Sequence, residues 1–179
     1  YVIVEIVTGT LFAVCFHSFK LSIDLLIALV FVSSLIIVII SDIEYMIILD
    51  EVLMVASLML VVIYIFSLGF YETAMHIYGG VLAFLCMYAI KIIGDKMFKK
   101  ESLGGGDIKL MFLFGLVLGF PMAVCTIFLA TFIAFPVAIF LLVTNKDNVI
   151  PFGPFLSMAA ILVMVSKLGV MDVLGYLVN

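Results

Sequence analysis

Two short stretches of this chain carry residues that could do chemistry. The first is Gly104-Gly105-Gly106-Asp107-Ile108-Lys109, where three glycines and an acid stand between a lysine-bearing polar stretch and a wholly apolar segment. Glycine tolerates backbone conformations closed to other residues and lets another chain come near, so this is an approachable acidic site. The same stretch also suits a flexible connector whose aspartate accepts hydrogen bonds from the free amides of the next helix. The second stretch starts at Asp42, which follows an apolar run and opens the polar patch Asp42, Glu44, Asp50 and Glu51 around Tyr45 to Leu49. Two carboxylates held close cannot both ionise easily, so one keeps a proton and the pair can act as general base and general acid together. That is the machinery for hydrolysing a peptide with an activated water. Taken singly, either acid also reads as an interface residue reaching water from a helix end.

The elements that must position these acids are membrane helices. The chain has 179 residues, of which 68% are hydrophobic and 11% charged, a composition outside the range of soluble domains. A spanning helix takes roughly 20 residues, which leaves no room for a separate soluble domain. The apolar and polar alternation of a membrane barrel is missing. The expected fold is therefore all-α, a polytopic transmembrane helix bundle of about seven segments in a single membrane-embedded domain covering 1–179. The segments read as 1–16, 22–41, 52–68, 73–94, 108–119, 122–143 and 156–170. The fifth is short and needs a thin bilayer or burial among other helices. Gly79-Gly80 is a small-residue patch where another helix can approach, and Pro136 is expected to kink the sixth segment.

Following the loops from side to side places the amino end, 42–51, 95–107 and 144–154 on one face. That face holds Lys91, Lys96, Lys99, Lys100, Lys109 and Lys146, against Lys20 and Lys167 on the other. The lysine excess marks the first face as cytoplasmic, and Asp42 and Asp107, two spans apart, return to it together. His17 and His76 fall on the opposite face, and no metal site is expected. Cys15, Cys86 and Cys125 lie in separate apolar segments without a CxxC pair, so they read as packing residues. With eight bases against twelve acids, the chain has no basic footprint for nucleic acid. Asp24, Glu72, Asp95 and Asp172 read as solvated charges. Glu5, flanked by apolar residues, is either a bundle-facing polar contact or a group supporting the acids, and Asp50 is a second candidate for support. The opening from Tyr1 lacks the basic and small-residue features of a signal peptide, and the chain is expected to begin part-way through a longer product.

With these motifs in order, the sequence resembles the type IV prepilin leader peptidases, membrane aspartic proteases of the GxGD class. Gly104 to Leu110 fits the family's GxGDxKL pattern, which implies that Asp107 is one catalytic aspartate and Lys109 its family-typical base. Asp42 to Asp50 fits an aspartate closing a span with a Pro-Asp or Pro-Asn pair eight residues later, which implies that Asp42 is the other; Leu49 stands where the proline is expected. Ile150 to Phe155 is similar to a Pro-Phe-Gly-Pro-Phe element, and Tyr1 to Glu5 to a Tyr-Pro-Xaa-Val-Glu opening with Val2 in place of proline. The resemblance implies removal of the basic leader from prepilins or pseudopilins at the cytoplasmic face of a bacterial plasma membrane. The substrate backbone would be received by the loop of Gly104, Gly105, Gly106 and Lys109. Paired CxxC motifs found in bacterial members are absent here. No cofactor is implied for hydrolysis; S-adenosyl-L-methionine is implied if the family's methylation of the new amino terminus accompanies it. The reading from another class is a small ion-coupled transporter in which Asp42 and Asp107 relay ions, since intramembrane acids mark ion paths. Such a carrier should show internal repeats and a midplane site.

Overall fold

A computed structural model describes residues 2–99, 101, 103–143 and 151–167. Tyr1, Lys100, Lys146, Ile150, Asp172 and the end of the seventh predicted segment lie outside the described residues. The described residues form seven helices: α1 (Val2–Phe19), α2 (Ile23–Tyr45), α3 (Asp50–Leu68), α4 (Phe70–Phe98), α5 (Gly105–Leu118), α6 (Phe120–Val143) and α7 (Gly153–Ser166). Among them α1 to α4 and α6 are long and apolar enough to cross a membrane. The chain is a polytopic helical membrane bundle.

Helix α5 has 14 residues, about 21 Å at about 1.5 Å per residue, against a hydrocarbon core of about 30 Å. Burial accommodates it, because Leu110, Met111, Leu113, Phe114 and Leu116 are all fully enclosed. A helix apolar on every side belongs inside a bundle. Helix α4 lies along it at backbone contact. A Cβ on Gly115 would fall 2.7 Å from the Cβ of Ala83, and one on Gly79 would fall 2.9 Å from the Gly115 carbonyl oxygen. Small residues permit that approach in a membrane, where packing substitutes for the hydrophobic effect. Gly115→Ala should therefore cost about 1–3 kcal/mol of stability through overpacking, read as a lowered unfolding midpoint in detergent. Gly9→Ala, where an added Cβ meets nothing within 4 Å, should leave the midpoint in place.

Several expected limits move. Asp42 lies inside the last turn of α2, which continues to Tyr45 before Met46 turns left-handed at φ 55. Helix α4 runs on through Asp95 and Lys96 to Phe98, so much of the expected polar connector is helix. Hydropathy marks where lipid ends, whereas backbone hydrogen bonding carries a helix on into water. Gly105 and Gly106 form the first turn of α5 with Gly104 as its N-cap, so the glycine run is a helix start more than a loop.

Helix α2 supplies the middle of the core through Phe31, Val32, Leu35 and Val38. Its backbone packs mainly on α7, α3 and α1, while α5 packs mainly on α4, α6 and α3. The two meet where the rings of Phe31 and Phe114 lie edge to face, centroids 5.9 Å apart. At the bundle end away from Asp42 and Asp107, Lys167 donates to the Ser18 carbonyl. His76 there stacks on Tyr64 at 4.2 Å and donates through Nδ1 to the Leu116 carbonyl at 2.9 Å.

Candidate active site

The first residues of α5 and α7 carry the site. Each helix begins with amides that have no partner within the helix, and each gives one to an acid. Asp42, only 6% exposed, takes a hydrogen bond from the backbone N–H of Gly153 at the start of α7. Asp107, also 6% exposed, is the third residue of α5 and reaches back to the N–H of Gly104. That is one half of a capping box. The capping reading and the chemical reading thus use different oxygens: Oδ2 lies toward Gly104, while Oδ1 is buried with no partner among the described residues.

Both carboxylates face one cavity of about 920 Å³, and the charge of Asp42 is felt at Asp107. Between the helix starts lies the non-helical 47–49 segment, which inserts Ile48. A Cβ on Gly106 would stand 2.7 Å from the Ile48 Cβ, and one on Gly153 would stand 3.1 Å from its Cδ1. These two glycines therefore serve packing: Ile48 occupies the room their missing side chains leave. Gly105 differs, since a Cβ there meets nothing within 4 Å. The open part of the glycine run is one residue wide.

Lys109 and Asp50 bond to each other, with Nζ 2.5 Å from Oδ2 and both side chains about half exposed. They stand on the wall of the same cavity and tie the start of α3 to α5. An exposed pair of this kind contributes at most about 1 kcal/mol. Glu5 is not brought to the site. Val4, Leu11, Phe12 and Cys15 form the inward stripe of α1, and Glu5, one residue round from Val4, is exposed. It makes neither the bundle contact nor the support expected of it. His17 is exposed and His76 lines another cavity. Among the described residues no three of His, Cys, Asp or Glu converge as a metal-holding group.

Sequence reasoning gave no chemical role to Gly153 or Ile48. The signal for Gly153 was available in Pro151-Phe152-Gly153-Pro154, where one glycine stands among stiff or bulky residues. Ile48 carried none, being one apolar residue among several.

Comparison with known proteins decides the family. The profile described as the type IV leader peptidase family matches residues 29–139, more than half of the chain. The chain belongs to that family. It is 33% identical over 175 residues to a prepilin leader peptidase/N-methyltransferase of Bacillus subtilis, covering 90% of this chain and 64% of the relative. It is 31% identical over 115 residues to a protein of the same description from Myxococcus xanthus, covering 64% of this chain and 34% of that relative. The chain thus spans less than two thirds of the length of either. No solved structure matches it significantly. The stretch shared with this leader peptidase family contains Asp42, Ile48, Asp50 and the glycine run through Lys109, whereas Glu5 and Gly153 lie outside it.

Proposed function

We propose that this leader peptidase family member is an aspartic endopeptidase that cuts the leader from type IV prepilins or pseudopilins, using Asp42 and Asp107. The observation that carries the reading is the pair of buried carboxylates, one in the last turn of α2 and one in the first turn of α5, facing one cavity. The ionised member takes a proton from water, whose oxygen adds to the scissile carbonyl carbon. The protonated member hydrogen-bonds the carbonyl oxygen as charge grows there, and the departing nitrogen then takes a proton. Burial strengthens each of these interactions by excluding bulk water.

Orientation supports the same reading. Lys91, Lys96, Lys99 and Lys109 belong to the helix ends nearest the acids, while Lys20 and Lys167 stand at the other end. The lysine-rich end faces the cytoplasm. A prepilin whose apolar helix enters the bilayer would present the junction with its leader there. The transporter reading draws less support, because both acids sit at helix ends and away from the middle of the spans.

The relatives' descriptions also name N-methyltransferase. A methyl donor has to reach the amine formed at the acids, and the polar side chains there already have partners, apart from the Oδ1 atom of Asp107 that the hydrolysis itself uses. Asp42 is on Gly153, Asp107 on Gly104, Asp50 on Lys109 and Glu101 on Lys91. The described residues offer no separate set of groups for the ribose and methionine ends of S-adenosyl-L-methionine. No methyl-transfer step is derived from them.

The direct test is to incubate the detergent-solubilised chain with a prepilin and follow leader loss by mass spectrometry. Cleavage at the leader junction is expected, unchanged by a metal chelator. An intact prepilin, or cleavage that a chelator abolishes and zinc restores, would overturn the aspartic reading.

A further inference from the structure

We infer that the backbone N–H of Gly105, with that of Gly106 beside it, donates to the scissile carbonyl oxygen as it gains negative charge, forming an oxyanion site at the start of α5. The inference rests on the endopeptidase reading and adds a catalytic group to it. Gly105 and Gly106 are the first two residues of a 14-residue helix. Their amides have no intrahelical acceptor and point back along the axis, where the helix dipole adds positive potential. Neither amide has a protein partner among the described residues. Gly104 is different, because its N–H is already engaged by Asp107.

A helix start alone would say little, but Asp107 supplies an independent pointer. Its side chain is nine-tenths buried, its Oδ1 lacks a partner, and it lines the same cavity as Gly105 and Gly106. A carboxylate oxygen so enclosed needs a donor, and the attacking water or the substrate is the donor that the reaction brings. The reacting carbonyl then lies between that oxygen and the free amides. Gly105 is also the residue in the run with open space beside it, so a substrate strand can come against its backbone, while Ile48 fills only the side of Gly106 where a Cβ would stand.

During attack, the water oxygen bonds to the carbonyl carbon, one water proton passes to the ionised carboxylate, and the C=O electron pair moves onto oxygen. There it accepts the Gly105 and Gly106 N–H bonds together with the proton held by the other acid. Collapse re-forms the carbonyl, breaks the C–N bond and returns a proton to the leaving amine, so one water is consumed for each peptide bond. Aligned donors of this kind strengthen as charge develops and act on kcat.

Position 105 allows a clean test. Proline is tolerated at the first position of a helix, and Gly104, at φ −65 and ψ 144, already has the extended conformation required before proline. Gly105→Pro and Gly105→Ala both add a Cβ on the open side of the backbone, but only proline removes the N–H, its Cδ taking the proton's place. With a prepilin as substrate, kcat of Gly105→Pro should be about 100-fold or more below that of Gly105→Ala, with KM within about threefold. A kcat ratio within threefold would overturn the inference, as would a loss confined to KM, which would make the amide a strand-binding group. Should the proline variant not fold, glycolic acid placed at 105 by nonsense suppression removes the same N–H without a ring, and the same kcat loss is required. Failure of the endopeptidase reading would look different: the unmodified chain itself would leave the prepilin intact.

Discussion

Asp42→Asn and Asp107→Asn should each cut the rate of leader removal by on the order of 10²- to 10⁴-fold, the scale of general acid–base catalysis. An amide keeps the shape of the carboxyl and can still accept the Gly153 or Gly104 amide, so both variants should accumulate in the membrane and unfold at the parent temperature. What an amide cannot do is exchange a proton with water or the leaving nitrogen. In the proposed mechanism the two acids act as a unit, so the double variant should be little worse than either single one. The parent rate should rise and fall with pH along two limbs that belong to the pair jointly. Glu51→Gln and Glu72→Gln, both exposed, control for loss of negative charge at large and should keep most activity. Leader removal within tenfold of the parent by either aspartate variant would take that residue out of the mechanism.

Gly153→Ala should lower kcat by about 100-fold although it changes no ionisable group. A Cβ at that position would stand 2.5 Å from Oδ2 of Asp42 and 3.1 Å from the Cδ1 of Ile48. The carboxylate has to move, and a displacement of about 1 Å in a reacting group is enough for a loss of that size. The pyrrolidine of Pro154 stiffens the backbone beside it, so α7 has little freedom to retreat. The variant should also lose about 1–3 kcal/mol of stability by overpacking. In an Asp42→Ala background most of that stability cost should vanish, since the group struck is no longer there. If Gly153→Ala costs as much stability with Asp42 removed as with it present, the clash lies elsewhere and the contact between α2 and α7 has been misread.

Much of this protein follows from local properties of its sequence. Long apolar runs in a chain with few charges require helices in lipid, because backbone polar groups there must be satisfied within their own segment. The residue types also single out Asp42 and Asp107: an acid beside three glycines and another at the end of an apolar run are costly to place without a use. The lysine distribution puts both at one end of the chain's path. Tertiary structure decided the rest. Whether Asp42 would end a helix or lie within its last turn depended on the left-handed turn at Met46. That Gly106 and Gly153 make room for Ile48, and only Gly105 is open, depended on a loop from between α2 and α3 entering the gap between α5 and α7. Lys109 and Asp50 bond across 59 residues of chain, and Glu5 lies outside the site because Val4, Leu11 and Cys15 won the inward stripe of α1. Hydropathy and capping act between near neighbours and can be read along the chain. Which helix start meets which carboxylate is set by packing among distant segments, where small residues admit backbone contact and larger ones fill what remains.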